Sequence, residues 1–356
     1  IFFVMNETIK RILEIAVFAP SGENCQPWRF IVRGNRLEIL NIPERDSSLY
    51  SWGQRASYIA HGALIENIRI AAPNFGYNPK INLFPDPGNS LLVAQISFEQ
   101  MSPKKDNLFD FVKTRTTNRK PYKNTVLTVD QRREFDTIAK NIERGRLVFL
   151  GDEQKKKVVA QAAAGNERIL FENSSMHKFF YDHITWTEKE DREKNIGFYI
   201  KTFELPSPAE KMFKLAKNWK LLQVLNRIGF SKLIVKQNAK VYASGAAFGA
   251  VVMPSNSAED FVLAGMLFQR MWLTITKMGL SLQPLTGILF LMQRIIAREA
   301  AELSTSHQRF IQDQYEQIKK SFGVTNETIA MMFRIGDGGK PTARSLRLKP
   351  EVAIQQ

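Results

Sequence analysis

Ala19-Pro20-Ser21-Gly22-Glu23-Asn24-Cys25-Gln26-Pro27-Trp28-Arg29-Phe30 is the stretch around which the chain is organised. Ahead of it, Ile9, Ile12, Leu13, Ile15, Ala16 and Phe18 recur at helical spacing, which predicts a helix over 6–19 that Pro20 stops. Ser21, Gly22 and Asn24 predict a tight polar loop, and Phe30-Ile31-Val32 opens an extended segment. Such a loop offers a hydroxyl, a carboxamide and free backbone amides to a flat polar ligand. The same residues also suit a capped helix end that runs into a strand and binds nothing.

Outward from this loop, 28–41 predicts two strands around a Gly34-Asn35 turn, and Ser57 to Ala72 a helix that ends near Pro73 and Gly76. Strands over 80–84 and 91–99 follow. A second series then begins. Thr128 is placed to cap a helix from Val129 to Asn141, with Gln131 at the capping-box position. Arg146 to Leu150 reads as a strand, Glu153 to about Phe180 as mostly helical, Asp260 to Met278 as a strongly apolar helix, and Thr328 to Ile335 as a strand. Gly62 and Gly76 stand fourteen apart, as do Gly265 and Gly279, each pair spanning a helix with a small residue near its start and a glycine at its end. That shared spacing favours two related halves.

Composition narrows the chemistry. The 356 residues, 44% of them hydrophobic, suffice for one large domain or two ordinary ones. The one cysteine, Cys25, excludes an internal disulfide and any multi-cysteine metal site, and reads as a packing residue. His61, His177, His183 and His307 are scattered, so no metal site is expected. No stretch reaches the ~18–20 apolar residues of a membrane span. Ile1-Phe2-Phe3-Val4 precede Met5 without a basic n-region, and Met5 reads as the natural start; a reducing, cytoplasmic setting is the expectation. The net charge of +15 favours anionic partners such as phosphorylated cofactors, but no zinc-finger, helix-turn-helix or RNP-type pattern supports nucleic acid. The segment Lys211–Lys236 carries seven basic residues and no acidic one beside an apolar component of Phe213, Leu215, Trp219, Leu222, Leu225, Ile228, Phe230 and Leu233. Packing of that apolar face on the body is the favoured reading; contact with an acidic membrane surface and a lid over a site are the others.

Arg115-Thr116-Thr117-Asn118-Arg119-Lys120-Pro121-Tyr122 sets two arginines at four-residue spacing with hydroxyls between them, a combination suited to phosphate oxygens, though a solvated basic turn would look alike. Gln283-Pro284-Leu285-Thr286-Gly287 and Arg334-Ile335-Gly336-Asp337-Gly338-Gly339-Lys340-Pro341-Thr342-Ala343-Arg344 are the remaining candidates.

Taken together, these motifs resemble the nitroreductase superfamily. The A-P-S-x-x-N-x-Q-P-W-x-F stretch is similar to its FMN-binding loop, and Arg115–Tyr122 to its R-x-[ST]-x-[RK]-x-[FY] signature with one extra residue before Tyr122. Pro284–Gly287 is similar to the P-x-x-G loop, and Lys340 and Arg344 approximate the C-terminal Lys-x-Arg that closes over the phosphate. The resemblance implies an α+β nitroreductase-like fold, with central antiparallel-type sheets flanked by helices and two half-domains, 6–102 and 103–348, the second carrying a basic helical insertion at about 185–245. Because the first half has the loop and the second the arginines, it resembles the fused, Acg-type pseudo-dimers with one complete FMN site. It implies FMN contacts from Arg115, Thr116, Thr117, Arg119, Ser21, Asn24, Gln26, Pro284, Leu285, Thr286, Gly287, Lys340 and Arg344. Arg119 would lie near N1/C2 and the Thr286 amide near N5, with no catalytic side chain. The implied activity is hydride transfer from NAD(P)H through FMN to a nitro, quinone or similar acceptor. A flavin-sequestering protein with a lid and little turnover is the alternative, and the chain is expected as a monomer or a homodimer.

Overall fold

The computed structural model describes residues 2–140 and 144–355. The first helix, α1 (Phe2–Ala16), stops short of the predicted end at 19 because residues 17–19 tighten into turns ahead of Pro20, which disfavours helical backbone before it. β1 (Trp28–Arg33) and β2 (Arg36–Asn41) form the expected hairpin around Gly34-Asn35. Next come α2 (Arg55–Ala71), β3 (Tyr77–Leu83) and β4 (Leu92–Gln100). β3 lies at a sheet edge, where Pro79 removes no needed hydrogen bond.

The second series opens with α3 (Val129–Lys140), capped as predicted: Gln131 N–H donates to Thr128 Oγ1 and Thr128 N–H to Gln131 Oε1. Asn141, predicted as its end, lies outside the described residues. β5 (Arg146–Leu150) follows, then α4 (Glu153–Glu172), α5 (Ser174–Asp182), β6 (Ile184–Thr185), α6 (Glu188–Lys194), β7 (Phe198–Tyr199), α7 (Ser207–Leu215), α8 (Trp219–Arg227) and α9 (Phe230–Ala243). The chain continues through β8 (Ala247–Met253), α10 (Ala258–Lys277), β9 (Ser281–Pro284), α11 (Gly287–Ile296), α12 (Thr305–Phe322) and β10 (Thr328–Gly336) to β11 (Val352–Gln355).

The architecture is α+β. Of the two large sheets one runs β11-β1-β2-β4-β3 and the other β5-β8-β10-β9, while β6 and β7 pair in parallel as a separate two-stranded ribbon. Apart from β11, which joins β1 in parallel, every pairing in both is antiparallel. In each sheet the order by position in the series is first-second-fourth-third, with one long helix, α2 or α10, between the second and third strands. The connections differ. A two-residue turn joins β1 to β2, whereas residues 151–246 join β5 to β8, so the predicted insertion at about 185–245 is the later part of a longer excursion.

α2 and α10 pack against each other across the glycines that the fourteen-residue spacing singled out. A Cβ on Gly62 would stand 1.9 Å from the Val262 carbonyl oxygen, and one on Gly265 2.1 Å from that of Ile59. The absence of side chains there is what lets the two backbones touch. Around this crossing lies a core drawn from both series: Phe30, Leu37, Ile65 and Ile96 from the first, Val251, Trp272, Leu282 and Phe333 from the second. A second core joins α4, α11 and α12 to the other face of the second sheet through residues such as Ala160, Val252, Leu289 and Ile311. β8, Ala-Phe-Gly-Ala-Val-Val-Met, is buried throughout, as expected of a strand covered on both faces. The excursion has its own small aromatic core, with Phe171, Tyr181, Ile184 and Leu222 at its centre.

The basic segment is not one helix. Asn218 caps α8 by accepting from the Leu221 amide, and Gly229, at φ +90°, breaks α8 from α9. Its apolar residues divide: Leu222 is buried, Phe213, Trp219, Leu225 and Phe230 are half-buried, and Leu215, Ile228 and Leu233 are exposed. Among the described residues no helix is long and apolar enough to cross a membrane, and no cluster of His, Cys, Asp or Glu could hold a metal ion.

Candidate functional site

Where the two sheets and α2, α4 and α10 converge, two cavities adjoin. The larger, about 280 Å³, is walled by α2 (Ala56, Ile59, Ala60), α10 (Phe268, Trp272), α4 and the Pro284–Gly287 loop. The smaller, about 70 Å³, is lined by Arg115, Thr116, Arg344, Arg347, Asn24 and Thr202 among others. Pro20, Ser21, Thr117, Arg119 and Phe198 line both, so the two form one elongated site with an apolar end and a basic end.

The loop quoted at the outset bends sharply to reach it. Glu23, Asn24 and Gln26 all adopt left-handed backbone, at φ 45°, 56° and 49°, a conformation costing about 1–3 kcal/mol for each non-glycine residue. The cost is offset by a clamp. Asn24 Nδ2 donates to the carbonyls of Asn195 (3.1 Å) and Leu346 (3.0 Å). Gln26 Nε2 donates to Asn195 (2.8 Å), while its Oε1 accepts from Leu348 N–H (2.9 Å). The loop is thus tied to the excursion and to the C-terminal segment. Gln26 itself is fully buried and lines neither cavity; it holds the loop's shape, and Ser21 Oγ accepts from its amide at 3.0 Å.

The basic end carries an unusual electrostatic burden. Arg115 is 5% exposed; its guanidinium lies 4.2 Å from the Trp272 ring centroid and donates to the Phe18 carbonyl at 2.9 Å. Its Nε has no hydrogen-bond partner, and among the described residues no carboxylate pairs with it. Burial, then the nearby Arg347 and Arg344, push its pKa well below the usual arginine range. Burial and Arg344 likewise bring Arg347 down to about 10. Arg119 is also depressed by burial; it donates to Thr202 O at 2.9 Å and faces the rings of Phe198 and Phe203. Arg115, Arg344 and Arg347, with no carboxylate paired to them among the described residues, form a site suited to an anion. Arg344 donates to the Lys113 carbonyl and lines this end, whereas Lys340 is exposed and lines neither cavity. Arg347, three residues beyond the predicted Arg344, completes the cluster; its Arg-Ser-Leu-Arg spacing is the signal that could have found it.

At the apolar end, α11 begins at Gly287, and its first-turn amides have no partner within the helix. Thr286 precedes it without a side-chain cap. Gly287 is required by Asn166: a Cβ would stand 2.1 Å from Asn166 Oδ1, which accepts from the Tyr50 hydroxyl at 2.9 Å. Two carboxyl groups missed at the level of sequence also face this cavity. Burial, with Asp46 nearby, raises Glu23 to about 8. Burial raises Glu167 to about 7 against the Tyr242 hydroxyl, which donates to its Oε1 at 2.5 Å, and its Oε2 is buried without a partner.

Two buried candidates are structural. Arg334 donates to Gln283 Oε1 and to the carbonyls of Val241 and Lys120, and it stacks on Tyr122 at 3.9 Å. Cys25 is buried and its thiol pKa is pushed up by that burial, so it packs and stays unreactive.

No family model matches the chain. An uncharacterized protein of Mycobacterium tuberculosis is 24% identical over 285 residues, 79% of this chain and 39% of its own length. A second M. tuberculosis protein, provisionally named an NAD(P)H nitroreductase, is 30% identical over 118 residues, 33% of this chain and 34% of its own length. The chain therefore spans well under half the length of these two relatives. A Serratia protein named "Probable NAD(P)H nitroreductase PigM" is 24% identical over 310 residues, 83% of this chain and 84% of its own. Among solved structures, a nitroreductase with bound FMN from Bacteroides fragilis covers 68% of this chain and 95% of its own at 8% identity and a TM-score of 0.35, too loose a superposition to carry the fold.

Proposed function

We propose that the chain is an FMN-dependent oxidoreductase of nitroreductase type, its two series of elements forming an internal pseudo-dimer with one flavin site between them. The observation that carries this reading is the elongated site itself, with the buried, unpaired Arg115 beside Arg119, Arg344 and Arg347 at one end and an apolar slot edged by helix amides at the other. The sequence similarity to nitroreductase-named proteins points the same way.

In this reading Arg115, Arg344 and Arg347, with Thr116, hold the phosphate, while Thr117 and Arg119 sit at the junction where the flavin ring begins. Trp272, Ile59 and Leu285 supply apolar contact for that ring, and the Thr286 and Gly287 amides meet its polar edge. FMN, when bound, would accept a hydride from NAD(P)H and deliver two electrons to a nitro, quinone or similar acceptor. Arg119, cationic and away from solvent, favours the negative charge that two-electron reduction leaves nearby. Ser21 and Asn24 come from the first series and the arginines from the second, so the site needs both. The proposed halves, 6–102 and 103–348, are supported by the matching strand order, with β11 crossing back to the first sheet.

None of the residues 211–236 lines the larger cavity; the excursion reaches it through α4 and through Phe180, Phe198 and Tyr242. That arrangement favours turnover over storage beneath a basic lid. The test is to purify the protein, look for bound FMN, and add NADPH or NADH anaerobically while following the flavin absorbance. Rapid bleaching supports a reductase. Yellow protein reduced by dithionite alone favours sequestration, and protein that stays colourless after incubation with FMN removes the whole reading.

A further inference from the structure

The exposed large apolar residues of this protein are unevenly placed: Met212, Leu215, Leu221, Val224, Ile228 and Leu233 all fall within α7–α9, and Ile228 is 82% exposed. Leu221 and Val224 on α8 and Ile228 at its C-terminal cap stand at i, i+3 and i+7, along one side of the helix, while Leu222 points into the aromatic core of the excursion. Met212 and Leu215 repeat the spacing on α7. Residues 207–243 also carry Lys211, Lys214, Lys217, Lys220, Arg227, Lys232, Lys236 and Lys240, all exposed, against a single carboxylate, Glu210. Glu210 is already engaged by Lys201 and Lys214. Helices that merely kept lysines in water would turn their leucines, valine and isoleucine inward; here both sets face out.

We infer that α7–α9 form a docking surface for an anionic lipid bilayer, the exposed apolar residues entering the interface and the flanking lysines and arginine meeting acidic headgroups. Charge complementarity selects this occupant. A second copy of the chain would bring an equally basic patch against this one, at a repulsive cost, whereas an acidic leaflet attracts each cation near its surface. The apolar residues supply what charge alone does not, burial below the headgroups that persists at moderate salt. The helices lie along the surface, since none is long and apolar enough to span it. None of the exposed apolar or basic residues named here lines either cavity; α9 reaches the larger one only through Tyr242, on its buried side.

Cosedimentation of the full chain with phosphatidylcholine vesicles, with and without roughly a quarter phosphatidylserine, tests this. Binding to the mixed vesicles, absence from the neutral ones, and a loss of about tenfold or more in Ile228→Asp and in Lys220→Glu/Arg227→Glu are expected. Both changes lie on exposed positions, and unchanged melting temperatures check that the variants fold. No binding to the acidic vesicles overturns the proposal, as does binding that Ile228→Asp leaves undiminished. A concentration-dependent dimer dissolved by Ile228→Asp, without vesicle binding, overturns it in favour of self-association.

Discussion

Arg115 illustrates how a binding residue works against the stability of its own fold. Its charge is buried beside Arg344 and Arg347 without a carboxylate, which costs the empty protein free energy that an anionic ligand returns. Arg115→Met is therefore expected to weaken FMN binding by roughly ten- to a hundredfold, the worth of one or two charge-assisted hydrogen bonds, while leaving the melting temperature of the FMN-free protein unchanged or higher. Titration by flavin fluorescence and a thermal melt read the two effects separately; a variant that loses stability without FMN contradicts the account. Glu167 behaves similarly. Burial raises its pKa from 4.5 to about 7, so the folded state holds a proton that the unfolded chain gives up. Stability from this group is present at low pH and is lost as pH rises through about 7. The melting temperature of Glu167→Gln relative to the parent should thus be near zero difference around pH 4.5 and climb to a plateau above about pH 7. A difference independent of pH would place the carboxylate in a more polar setting. Glu23, raised to about 8, carries the same sign over a wider window.

Among the elements, the crossing of α2 and α10 is the joint on which the site depends. Both helices line the larger cavity, and their separation is set by Gly62 and Gly265, each lying against the other helix's backbone. A methyl group at either position meets main chain, not a flexible side-chain tip, so the helices must part. Gly62→Ala is expected to cost about 1–3 kcal/mol despite its better helix propensity, and to weaken FMN retention as Ile59 and Trp272 move apart. Gly22→Ala, where nothing lies within 4 Å, is the control that should leave stability nearly unchanged. A chemical-denaturation series comparing the two decides it, and equal stabilities would refute tight contact at the crossing.

Across the whole molecule, the C-terminal segment ties the site together. β11 pairs with β1 from Phe30–Val352 to Arg33–Gln355, while the residues before it carry Arg344 and Arg347 and receive the Asn24 and Gln26 clamp. Removing residues 350–356 spares every arginine but frees the edge of β1. FMN affinity should fall severalfold and the melting temperature drop, readable by fluorescence titration and calorimetry. Retention of full affinity would show that the loop holds without its strand. Much of this arrangement was legible in the sequence, because it rests on local signals: the hairpin at Gly34-Asn35, the Thr128 cap, the two helices with matched glycines, and the Arg115 and Pro284 motifs that do line the cavities. Gln26 and Lys340 fell on the same motifs yet line neither cavity, and the segment 211–236 broke into helices that turn apolar residues outward. Arg347 was missed although it repeats Arg344 three residues on, and Glu23, Glu167 and Tyr242 could not be picked out, since their significance lies in neighbours distant along the chain. The sequence by itself determined the order of elements and the chemistry available to them, which depend on periodicity, caps and turns within a few residues. Only the tertiary structure decided that Arg115 is buried without a counter-charge, which carboxyls keep their protons and which face of α8 meets solvent. Those properties are set by desolvation and by contact between residues far apart in the chain.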